Sequence, residues 1–552
     1  MGSEFGADVV IVGGGPCGLM LAIELGRRDV RALLLSEKPS TTTFPQANAT
    51  QARTMEHYRR LGFANRVRAL GLPPDYPTDV TYWTRFARYE LARFALPASG
   101  RAKELVKRLG GSWSAAELPH RCSQMYIERV LRDEAEKLPS VQLWFNWRVT
   151  GFAEPGDRAE VTAEPAEGGA PRRFTGRYLV AADGARSLVR KELGISLSGE
   201  SGAVREYMGG PQHAIHFRSR QLLDRINGAR AWQYISVNRD RRGVLLPLDG
   251  HDAFVFHAQL KPDEAGREFG DAEARAMFFA ALGAECDMDI VARRNWTAGY
   301  TLVADRFAHG RVLLGGDAVH LFTPTGGLGY NTAVEDAVNL GWKLAAVLRG
   351  WGGPGLLASY EAERRPVAQR NTGFARRFAD SIGLFKLADT LEDDTTEGAA
   401  ARHEAGRALH AHARAEFDIP GVTLGARYDG SPIIVGDGRS PPPDAANVYI
   451  PTSVPGGRAP HFWLDDEHSL YDAFGPEFTL LRLGSRAPDA TALTEAAAAR
   501  GVPLEVVEIA DDRARDLYEV DLALIRPDQI VAWRGNRLVD DPAALLAKLT
   551  GF

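Results

Sequence analysis

The chain has 552 residues, too many for a single hydrophobic core, and its length predicts two or three domains. Its 66 basic and 71 acidic side chains leave a formal net charge of -5, and the basic ones are scattered, so no nucleic-acid-binding surface is expected. No apolar run is long enough to span a bilayer, and the N-terminal region lacks a secretory pattern, so we expect a cytoplasmic protein that does not bind membranes.

The cysteines give no sign of a disulfide or metal site. Cys17, Cys122 and Cys286 lie far apart, are odd in number and form no C-x-x-C motif. This pattern supports neither a disulfide framework nor a zinc site. A reducing compartment and no metal are therefore expected.

The N-terminal hydrophobic pattern predicts a βαβ unit. Residues 8–12 form a β-branched run typical of a buried parallel strand, residues 19–25 are apolar as in a helix, and residues 30–35 form a second strand. Residues 51–70 have helical periodicity. Residues 73–120 contain several prolines and aromatic residues, and they are expected to be an irregular excursion from the first domain.

The rest of the chain predicts further sheets. Short alternating segments within 141–182 and 205–262 predict antiparallel strands and a separate β-sheet layer. An apolar strand at 311–317 returns to the α/β pattern and leads into long helices. The Pro-, Gly- and Asp-containing stretch 436–460 is the best linker candidate, and residues 461–552 alternate strand and helix patterns, as expected of a small α/β domain.

A glycine-rich motif joins the first strand to the first helix. Its glycines allow a tight turn and a close approach of the backbone to a pyrophosphate, and the following helix offers free N–H groups to an anion. A glutamate ends the second strand, where a carboxylate can bind a ribose hydroxyl and disfavour a 2′-phosphate. The motif predicts a dinucleotide site but does not distinguish FAD from NAD. The predicted binding residues are Gly13, Gly15, Pro16, Gly18, Glu37 and Lys38.

A second motif covers residues 179–190, where an apolar strand runs through Asp183 into a short helix. Taken alone, the segment favours a plain strand–turn–helix junction in which Ser187 caps the helix. The other interpretation makes Asp183 a cofactor-binding residue, with Arg190 in the first turns of the helix.

A third motif begins where the strand at 311–317 ends. Its aspartate can accept hydrogen bonds from a ribityl chain, and the glycine-rich helix start can direct free N–H groups at a flavin pyrimidine ring. A plain glycine-rich helix start is the alternative. For His320 a structural role is expected rather than that of a base. The predicted binding residues are Gly316, Asp317, Pro324, Gly327, Leu328, Gly329 and Asn331.

The three motifs, in this order and approximate spacing, resemble those of the single-component (class A) flavoprotein aromatic hydroxylases. Between them, Arg53 and Gln124 look like two further FAD-contacting residues of that family. The tail, notably residues 524–534, is similar to the thioredoxin-like C-terminal domain of the longer members, which include phenol, chlorophenol and polyketide hydroxylases. Since no cysteine follows Cys286, this domain would have no dithiol chemistry.

The resemblance implies an α/β fold (α+β overall) with a Rossmann-like FAD-binding domain, an inserted β-sheet substrate domain and a C-terminal thioredoxin-like domain. A homo-oligomer, dimeric or larger, is also expected. The expected boundaries are 6–195 with 290–400 for the FAD-binding domain, 73–120 with 196–289 for the substrate-binding sheet, 401–460 for a connecting segment and 461–552 for the thioredoxin-like domain.

Members of that family use NAD(P)H and O2 to hydroxylate aromatic or phenolic rings through a flavin C4a-hydroperoxide. The resemblance therefore implies a monooxygenase with tightly bound FAD and with NADPH, or NADH, as a transient reductant. The substrate would lie between the β-sheet layer and the flavin, beside Pro324. Either Tyr234 or His216 would accept the phenol proton, although each is also compatible with ordinary sheet packing. The substrate-side candidates are His216, Tyr234, Leu246 and Phe256.

Two alternative functions remain open. The same flavin architecture could perform Baeyer–Villiger oxidation, epoxidation or antibiotic inactivation. The chain could also be a flavin-binding protein without redox activity whose tail mediates assembly, although its intact cofactor motifs argue against this. A plain NAD dehydrogenase is disfavoured by the third motif, which such enzymes do not need.

Overall fold

The computed structural model of the chain describes residues 5–202, 205, 209–383 and 386–552. Its strands are β1 (Phe5–Gly6), β2 (Val9–Val12), β3 (Ala32–Ser36), β4 (Val80–Trp83), β5 (Glu90–Phe94), β6 (Val141–Phe145), β7 (Trp147–Ala153), β8 (Ala159–Pro165), β9 (Arg172–Gly176), β10 (Tyr178–Ala181), β11 (Leu197–Glu200), β12 (Gly210–Arg218), β13 (Gln233–Ser236), β14 (Gly243–Pro247), β15 (Ala253–Gln259), β16 (Asp289–Ala298), β17 (Thr301–Ala304), β18 (Ala308–His309), β19 (Val312–Leu314), β20 (His320–Leu321), β21 (Phe478–Leu483), β22 (Leu504–Ile509), β23 (Leu522–Ile525) and β24 (Val531–Gly535). Its helices are α1 (Pro16–Gly26), α2 (Ala52–Arg60), α3 (Ala64–Arg68), α4 (Ala102–Arg108), α5 (Gln124–Glu136), α6 (Leu188–Glu192), α7 (Leu222–Arg225), α8 (Asp271–Leu282), α9 (Leu328–Arg349), α10 (Pro354–Gly383), α11 (Thr396–Phe417), α12 (Pro420–Leu424), α13 (Thr491–Ala499), α14 (Asp512–Tyr518) and α15 (Pro542–Leu549).

A six-stranded, mostly parallel sheet forms the centre of the first part of the chain, in the order β18-β19-β10-β2-β3-β6. Strands β2 and β3 are buried along their whole length, which explains their unbroken runs of Val, Ile and Leu. Helices α1 and α9 contribute apolar side chains to the same hydrophobic core as these strands. The βαβ unit expected at the N-terminus is therefore β2-α1-β3.

Two smaller sheets extend this part of the chain. Strands β7, β8 and β9 pair antiparallel, as predicted for this region, and β1 adds to them in parallel with β9. Strands β6 and β10 differ from that prediction, because β6 pairs in parallel with β3 and β10 pairs in parallel with β2 and β19, all within the six-stranded sheet. Strands β11, β17 and β20 form a separate three-stranded antiparallel sheet.

A seven-stranded sheet has the order β16-β12-β15-β14-β13-β4-β5. Its last two strands come from the region expected to be irregular. Strand β16 belongs here as well, because it pairs antiparallel with β12 along its whole length, and the expected domain boundary at residues 289 and 290 would cut through it. Helix α8 covers one face of the sheet with an aromatic core, and α11 packs over part of the other face.

The C-terminal part has its own sheet, in the order β22-β21-β23-β24. Strands β21 and β22 are parallel and joined by α13, whereas β23 and β24 are antiparallel and followed by α15. This order and these connections are those of the thioredoxin-like fold, as predicted.

Fully buried charges join the C-terminal part to α9 and α10. Arg526 Nη1 donates to Glu363 Oε1 at 2.6 Å, and Lys343 Nζ donates to Glu363 Oε2 at 2.6 Å. Leaving one member of such a buried pair without its partner costs about 3–5 kcal/mol. The C-terminal part is therefore firmly attached to the helices behind the six-stranded sheet.

The described residues contain neither a candidate membrane span nor a metal-binding cluster. None of their helices is both long and apolar enough to cross a membrane. Among the same residues, no group of three or more His, Cys, Asp or Glu side chains is arranged to hold a metal ion. Cys17, Cys122 and Cys286 are free thiols.

Candidate functional site

The three sequence motifs converge at one edge of the six-stranded sheet. Val12, Ala181 and Leu314 are paired in register at the carboxyl ends of β2, β10 and β19, and Leu35 of β3 continues the same row. Gly13, Asp183 and Gly316, from the first, second and third motifs, all follow within two residues of these strand ends. Carboxyl edges of parallel strands are where doubly wound sheets bind ligands, so residues separated by about 300 positions in the chain form one groove.

The glycines of the first motif differ in the space that surrounds them. Gly13 has φ +113°, and a Cβ there would lie 2.1 Å from the carbonyl oxygen of Ala182. A Cβ on Gly18 would lie 2.0 Å from the carbonyl oxygen of Gly13. A Cβ on Gly15 would meet nothing within 4 Å. The first two positions thus form the turn and its packing, and Gly15 borders open space.

That open space faces the beginning of α1. Pro16 is the first residue of the helix, and Gly15, its N-cap, provides no side-chain hydrogen bond. The N-terminal N–H groups and the positive end of the helix dipole are therefore available to an anion such as a pyrophosphate. Glu37 and Lys38, at the end of β3, are both exposed beside this edge.

The second motif is both a helix cap and a polar wall of the groove. Ser187 Oγ accepts a hydrogen bond from the backbone N–H of Arg190 at 3.0 Å, so it caps α6 as predicted. Asp183 Oδ2 accepts from the N–H of Val189 at 3.3 Å, but Oδ1 is buried without a hydrogen-bond partner in the described residues. Burial raises the pKa of Asp183 despite the hydrogen bonds that lower it. Arg190 Nη1 donates to the carbonyl oxygen of Ala318 at 2.9 Å and so links the second motif to the third.

The third motif contacts the first directly. A Cβ on Gly316, which has φ +63°, would lie 3.1 Å from the Cβ of Cys17. Asp317 is solvent-exposed, yet desolvation raises its pKa, with His320 and Lys38 acting in the opposite direction. An accessible carboxylate with protein around it lies in a crevice, which is the position expected of a ligand-binding group. His320 is fully buried, and its Nε2 is hydrogen-bonded to Asp336 Oδ2 at 2.7 Å. These surroundings are in keeping with the structural role predicted for His320.

The N-terminus of α9 forms the far end of the groove. Gly326 and Gly327 have φ of +68° and +64°, values that favour glycine. A Cβ on Gly327 would also lie 2.8 Å from the Cβ of Ala49. Exposed Pro324 precedes this turn, and α9 begins at Leu328 without a side-chain cap. The dipole of a 22-residue helix therefore has its positive end at the groove.

Asn331 positions this turn rather than facing a ligand. Its Oδ1 accepts from the N–H of Gln51 at 2.8 Å and from Thr54 Oγ1 at 2.7 Å. Its Nδ2 donates to the carbonyl oxygens of Ala49 at 2.9 Å and Gly327 at 2.6 Å. All four hydrogen-bonding positions of the amide are thus occupied by protein.

The two residues expected from the intervening segments have different surroundings. Arg53 does not point into the groove: its Nη1 donates to Gln529 Oε1 at 2.7 Å, and its Nη2 donates to the carbonyl oxygen of Asp528 at 2.6 Å. This corrects the expectation of an FAD contact, because the guanidinium binds the C-terminal part instead. Gln124 begins α5 and donates to Glu128 Oε1 at 2.6 Å, while Glu128 also accepts from the N–H of Thr42.

The substrate-side candidates divide between the two faces of the seven-stranded sheet, because side chains alternate along a strand. Tyr234 and Phe256 are fully buried in the aromatic core that α8 covers, and Tyr234 Oη accepts from the N–H of Ala231 at 2.7 Å. The structure therefore corrects both expectations. Leu246 lies on the opposite face, in one cluster with Ala49 and Met125 from the first part of the chain.

His216 also lies on this second face, and its ring approaches Phe44 with 6.3 Å between ring centroids. Strand register places Val255 beside it and Val244 beside His257 on the same face. Sequence reasoning missed His257 and the two valines. Alternation from Leu246 identifies Val244 on the same strand, whereas Val255 and His257 lie on the neighbouring strand and follow only from its register. Desolvation lowers the pKa of His257 to about 4, so its imidazole is neutral at neutral pH.

Family comparisons agree with this geometry. Residues 6–375 match the model of the FAD binding domain family, and residues 452–551 match that of the aromatic-ring hydroxylase C-terminal domain. The chain belongs to the FAD-dependent aromatic-ring hydroxylases.

Several relatives match the hydroxylase over almost its whole length. It is 30% identical to the FAD-dependent monooxygenase apdD of Emericella nidulans, over 99% of this chain and 90% of the relative. The structure of RebC soaked with chromopyrrolic acid, with bound 7-carboxy-K252c, has a TM-score of 0.89 at 33% identity and covers 100% of both chains. A ternary complex of aklavinone-11 hydroxylase with FAD and aklavinone has a TM-score of 0.82 at 26% identity, again over 100% of both chains.

The hydroxylase is therefore a flavoprotein monooxygenase that uses FAD, with NAD(P)H as reductant, to hydroxylate an aromatic ring. Its groove fits this cofactor on structural grounds. Gly15 leaves room for a pyrophosphate, Asp317 offers an accessible carboxylate inside a crevice, and α9 directs the positive end of its dipole at the far end.

Proposed function

We propose that FAD binds along the groove in an extended form, with its adenosine end near Glu37 and Lys38. The first motif, Gly13 to Gly18, and the N-terminus of α1 would hold the pyrophosphate. Asp317 would accept hydrogen bonds from the ribityl chain, with Asp183 as a second polar wall. The observation that carries this proposal is the open space at Gly15, at the start of a helix without a side-chain cap.

The far end of the groove would hold the ring system of the cofactor. Pro324 would lie beside the ring, and the backbone of Gly327, Leu328 and Gly329 would face its pyrimidine edge, with Gln124 near the middle of the groove. Bound FAD supplies the redox chemistry that activates O2. The protein supplies the positive end of the α9 dipole, which stabilises negative charge at that edge. Asn331 contributes indirectly, because its four hydrogen bonds hold the turn before α9 in place.

The aromatic substrate would lie between this end of the groove and the facing side of the seven-stranded sheet. Val244, Leu246 and Val255 give that side an apolar wall, which favours a flat ring and excludes water from the reaction. His216 is the predicted candidate that remains able to accept a phenolic proton. Desolvation lowers its pKa, so the imidazole is neutral and free to act as a base at neutral pH.

The proposal is tested by purifying the hydroxylase, recording its visible spectrum, and following oxidation of NADPH and NADH with a panel of phenols. We expect a yellow protein with bound FAD and a phenol-dependent increase in the rate of oxidation. A colourless protein that takes up no added FAD would refute the proposed groove. FAD binding without any effect of an aromatic compound would refute the proposed substrate position alone.

We propose the domain boundaries expected from the sequence, with one change. The substrate-binding sheet ends at Ala298 instead of at residue 289. The pairing of β16 with β12 supports this boundary. The FAD-binding domain would then resume after Ala298 and reach about residue 400. The connecting segment, 401–460, would include most of α11, whose Leu409 and Ala413 pack in the same cluster as Tyr82 of the substrate-binding sheet. The thioredoxin-like domain would begin at about residue 461.

We also propose that the hydroxylase is a cytoplasmic homo-oligomer. Val448 and Ile450 are 50% and 47% exposed and lie two positions apart, which gives a small apolar surface suited to self-association. The free cysteines fit a reducing compartment. Light scattering after gel filtration should give at least twice the mass of one chain, and a monomer would contradict the proposal.

A further inference from the structure

One row of the seven-stranded sheet places two basic side chains on either side of an alanine. Ala214 of β12 pairs directly with Arg294 of β16 and with His257 of β15. All three side chains therefore lie on the face that carries Leu246 and His216. With neighbouring strands about 4.8 Å apart, Arg294 and His257 are separated at the backbone by about 10 Å, and the small Ala214 leaves space between them.

Arg294 has no acidic partner in the part of the chain that the structure describes. Its guanidinium lies over the ring of Phe44, with 4.2 Å between the guanidinium carbon and the ring centroid. Desolvation lowers its pKa, and no carboxylate opposes that effect. The preceding residue differs, because Arg293 points to the other face and its Nε donates to Asp271 Oδ1 at 2.9 Å. Arg294 lies exposed on the edge strand of the sheet, and a guanidinium without a counterion that is stacked on an aromatic ring is available to bind an anion.

Two further polar atoms on this face lack partners among the described residues. Trp296, two residues after Arg294 and therefore on the same face, has a buried Nε1 without a hydrogen-bond acceptor in the described part of the chain. His257 has a buried Nδ1 without a partner, and its ring meets that of Trp296 edge to face at 5.6 Å. Buried polar atoms are usually hydrogen-bonded, so a cluster without partners next to an unpaired arginine indicates a place where a ligand completes the bonding.

We propose that Arg294, supported by His257 and Trp296, recognises an ionised carboxylate on the aromatic substrate of the hydroxylase. The planar guanidinium can bind a carboxylate through two parallel hydrogen bonds while it remains stacked on Phe44. Val244 lies in the same row of the sheet as Arg294, and Leu246 and Val255 lie in the next row on that face. One ligand can therefore place its carboxylate at Arg294 and its ring system over this apolar wall. This inference rests on the proposed function, since it places the substrate in the same cleft.

The test compares two probes of equal shape on the FAD-loaded enzyme: 6-hydroxy-2-naphthoate and 6-hydroxy-2-naphthamide. Dissociation constants are measured from the change in the flavin absorption spectrum. The naphthoate should bind the wild-type enzyme more tightly by about 10- to 100-fold, which is the value of a hydrogen bond to a charged group. R294Q should abolish this preference, and R294K should retain part of it, because charge remains while the planar fork is lost.

R293Q is the matched control, since it removes a neighbouring arginine that points to the opposite face. It should keep the wild-type preference for the naphthoate. The ratio of the two dissociation constants does not depend on a general loss of stability, so a merely structural role of Arg294 would leave it unchanged.

Equal binding of the two probes to the wild-type enzyme would overturn the inference, and so would an unchanged preference in R294Q. Failure of the naphthoate to bind the FAD-loaded wild-type enzyme at any concentration within its solubility would also overturn it. These outcomes differ from failure of the proposed function, in which the protein would not retain FAD or no aromatic compound would stimulate NAD(P)H oxidation.

Discussion

Gly15 and Gly18 belong to the same turn, yet an added methyl group meets very different surroundings at the two positions. At Gly15 the Cβ of alanine would have no neighbour within 4 Å, and the backbone φ of -86° suits any residue. At Gly18 it would lie 2.0 Å from a backbone oxygen. Gly15→Ala should therefore impair cofactor binding without impairing the fold, and Gly18→Ala should impair both.

The expected magnitudes follow from these contacts. Gly15→Ala costs the protein the difference between glycine and alanine at an N-cap, about 1 kcal/mol. If its methyl group displaces a phosphate from two backbone N–H groups, the loss is about 1.5–3 kcal/mol for each charge-assisted hydrogen bond, or about 100-fold or more in FAD affinity. For Gly18→Ala, overlap with the backbone costs about 1–3 kcal/mol or more in folding free energy.

The assay has two parts on the same protein samples. Thermal unfolding of the FAD-free protein reports the fold, and titration of that protein with FAD, followed by flavin fluorescence, reports affinity. FAD affinity of Gly15→Ala within a few-fold of the wild-type value would refute our assignment of the pyrophosphate to this turn.

Three further predictions test other parts of the site. Asp317→Ala should weaken FAD binding by about 10- to 100-fold in the same titration, because one charged acceptor is lost, and unchanged affinity would show that the ribityl position is misplaced. Leu246→Ala should raise the KM for an aromatic substrate, whereas Phe256→Ala should lower the melting temperature without a specific effect on KM; the reverse pattern would contradict the face assignment. Arg458 holds the pKa of Glu56 at about 2, below its ordinary value of 4.5, so the pair stabilises the fold above pH 4.5, and this stability is lost as the pH falls towards 2. Glu56→Gln should remove this pH dependence, which amounts to a change on the order of 3 kcal/mol in the free energy of unfolding between pH 4.5 and pH 2. Urea unfolding at these pH values measures it, and an unchanged profile would count against the buried pair.

The proposed cofactor groove could largely be predicted from the sequence, because its residues lie in local patterns. A strand followed by glycines and a helix fixes where Gly13, Gly15 and Asp317 must lie, since the carboxyl ends of parallel strands meet at one edge. The alternation of strand and helix patterns in residues 461–552 predicted a small α/β domain, and its thioredoxin-like strand order was implied by the family resemblance.

The substrate face was less predictable, because both faces of the seven-stranded sheet are covered and both are apolar. Nothing in the sequence alone distinguishes the side of Leu246 from that of Phe256, whereas the packing of α8 does so at once. The contacts of Arg53 were also not predictable from the sequence. Besides the nearby Glu56, its partners Asp528 and Gln529 lie more than 470 positions away, and only the docked C-terminal part reveals these contacts.

The role of the C-terminal part follows from those same contacts. Arg526 binds Glu363 of α10, and Arg53 of α2 binds the carbonyl oxygen of Asp528, so both arginines join the C-terminal part to helices of the first part of the chain. Because the junction charges are fully buried, we infer that the thioredoxin-like part supports the FAD-binding part structurally. This agrees with the absence of cysteine beyond Cys286 in the sequence.

The most direct test of the central claim is the fate of molecular oxygen. The purified enzyme, loaded with FAD and supplied with NADPH, is incubated with a phenolic substrate under isotopically labelled O2, and the product is analysed by mass spectrometry. We predict one labelled oxygen atom in a new ring hydroxyl group for each NADPH consumed. NADPH consumption that yields only hydrogen peroxide, or a labelled ester in place of a phenol, would contradict the assignment of aromatic hydroxylation.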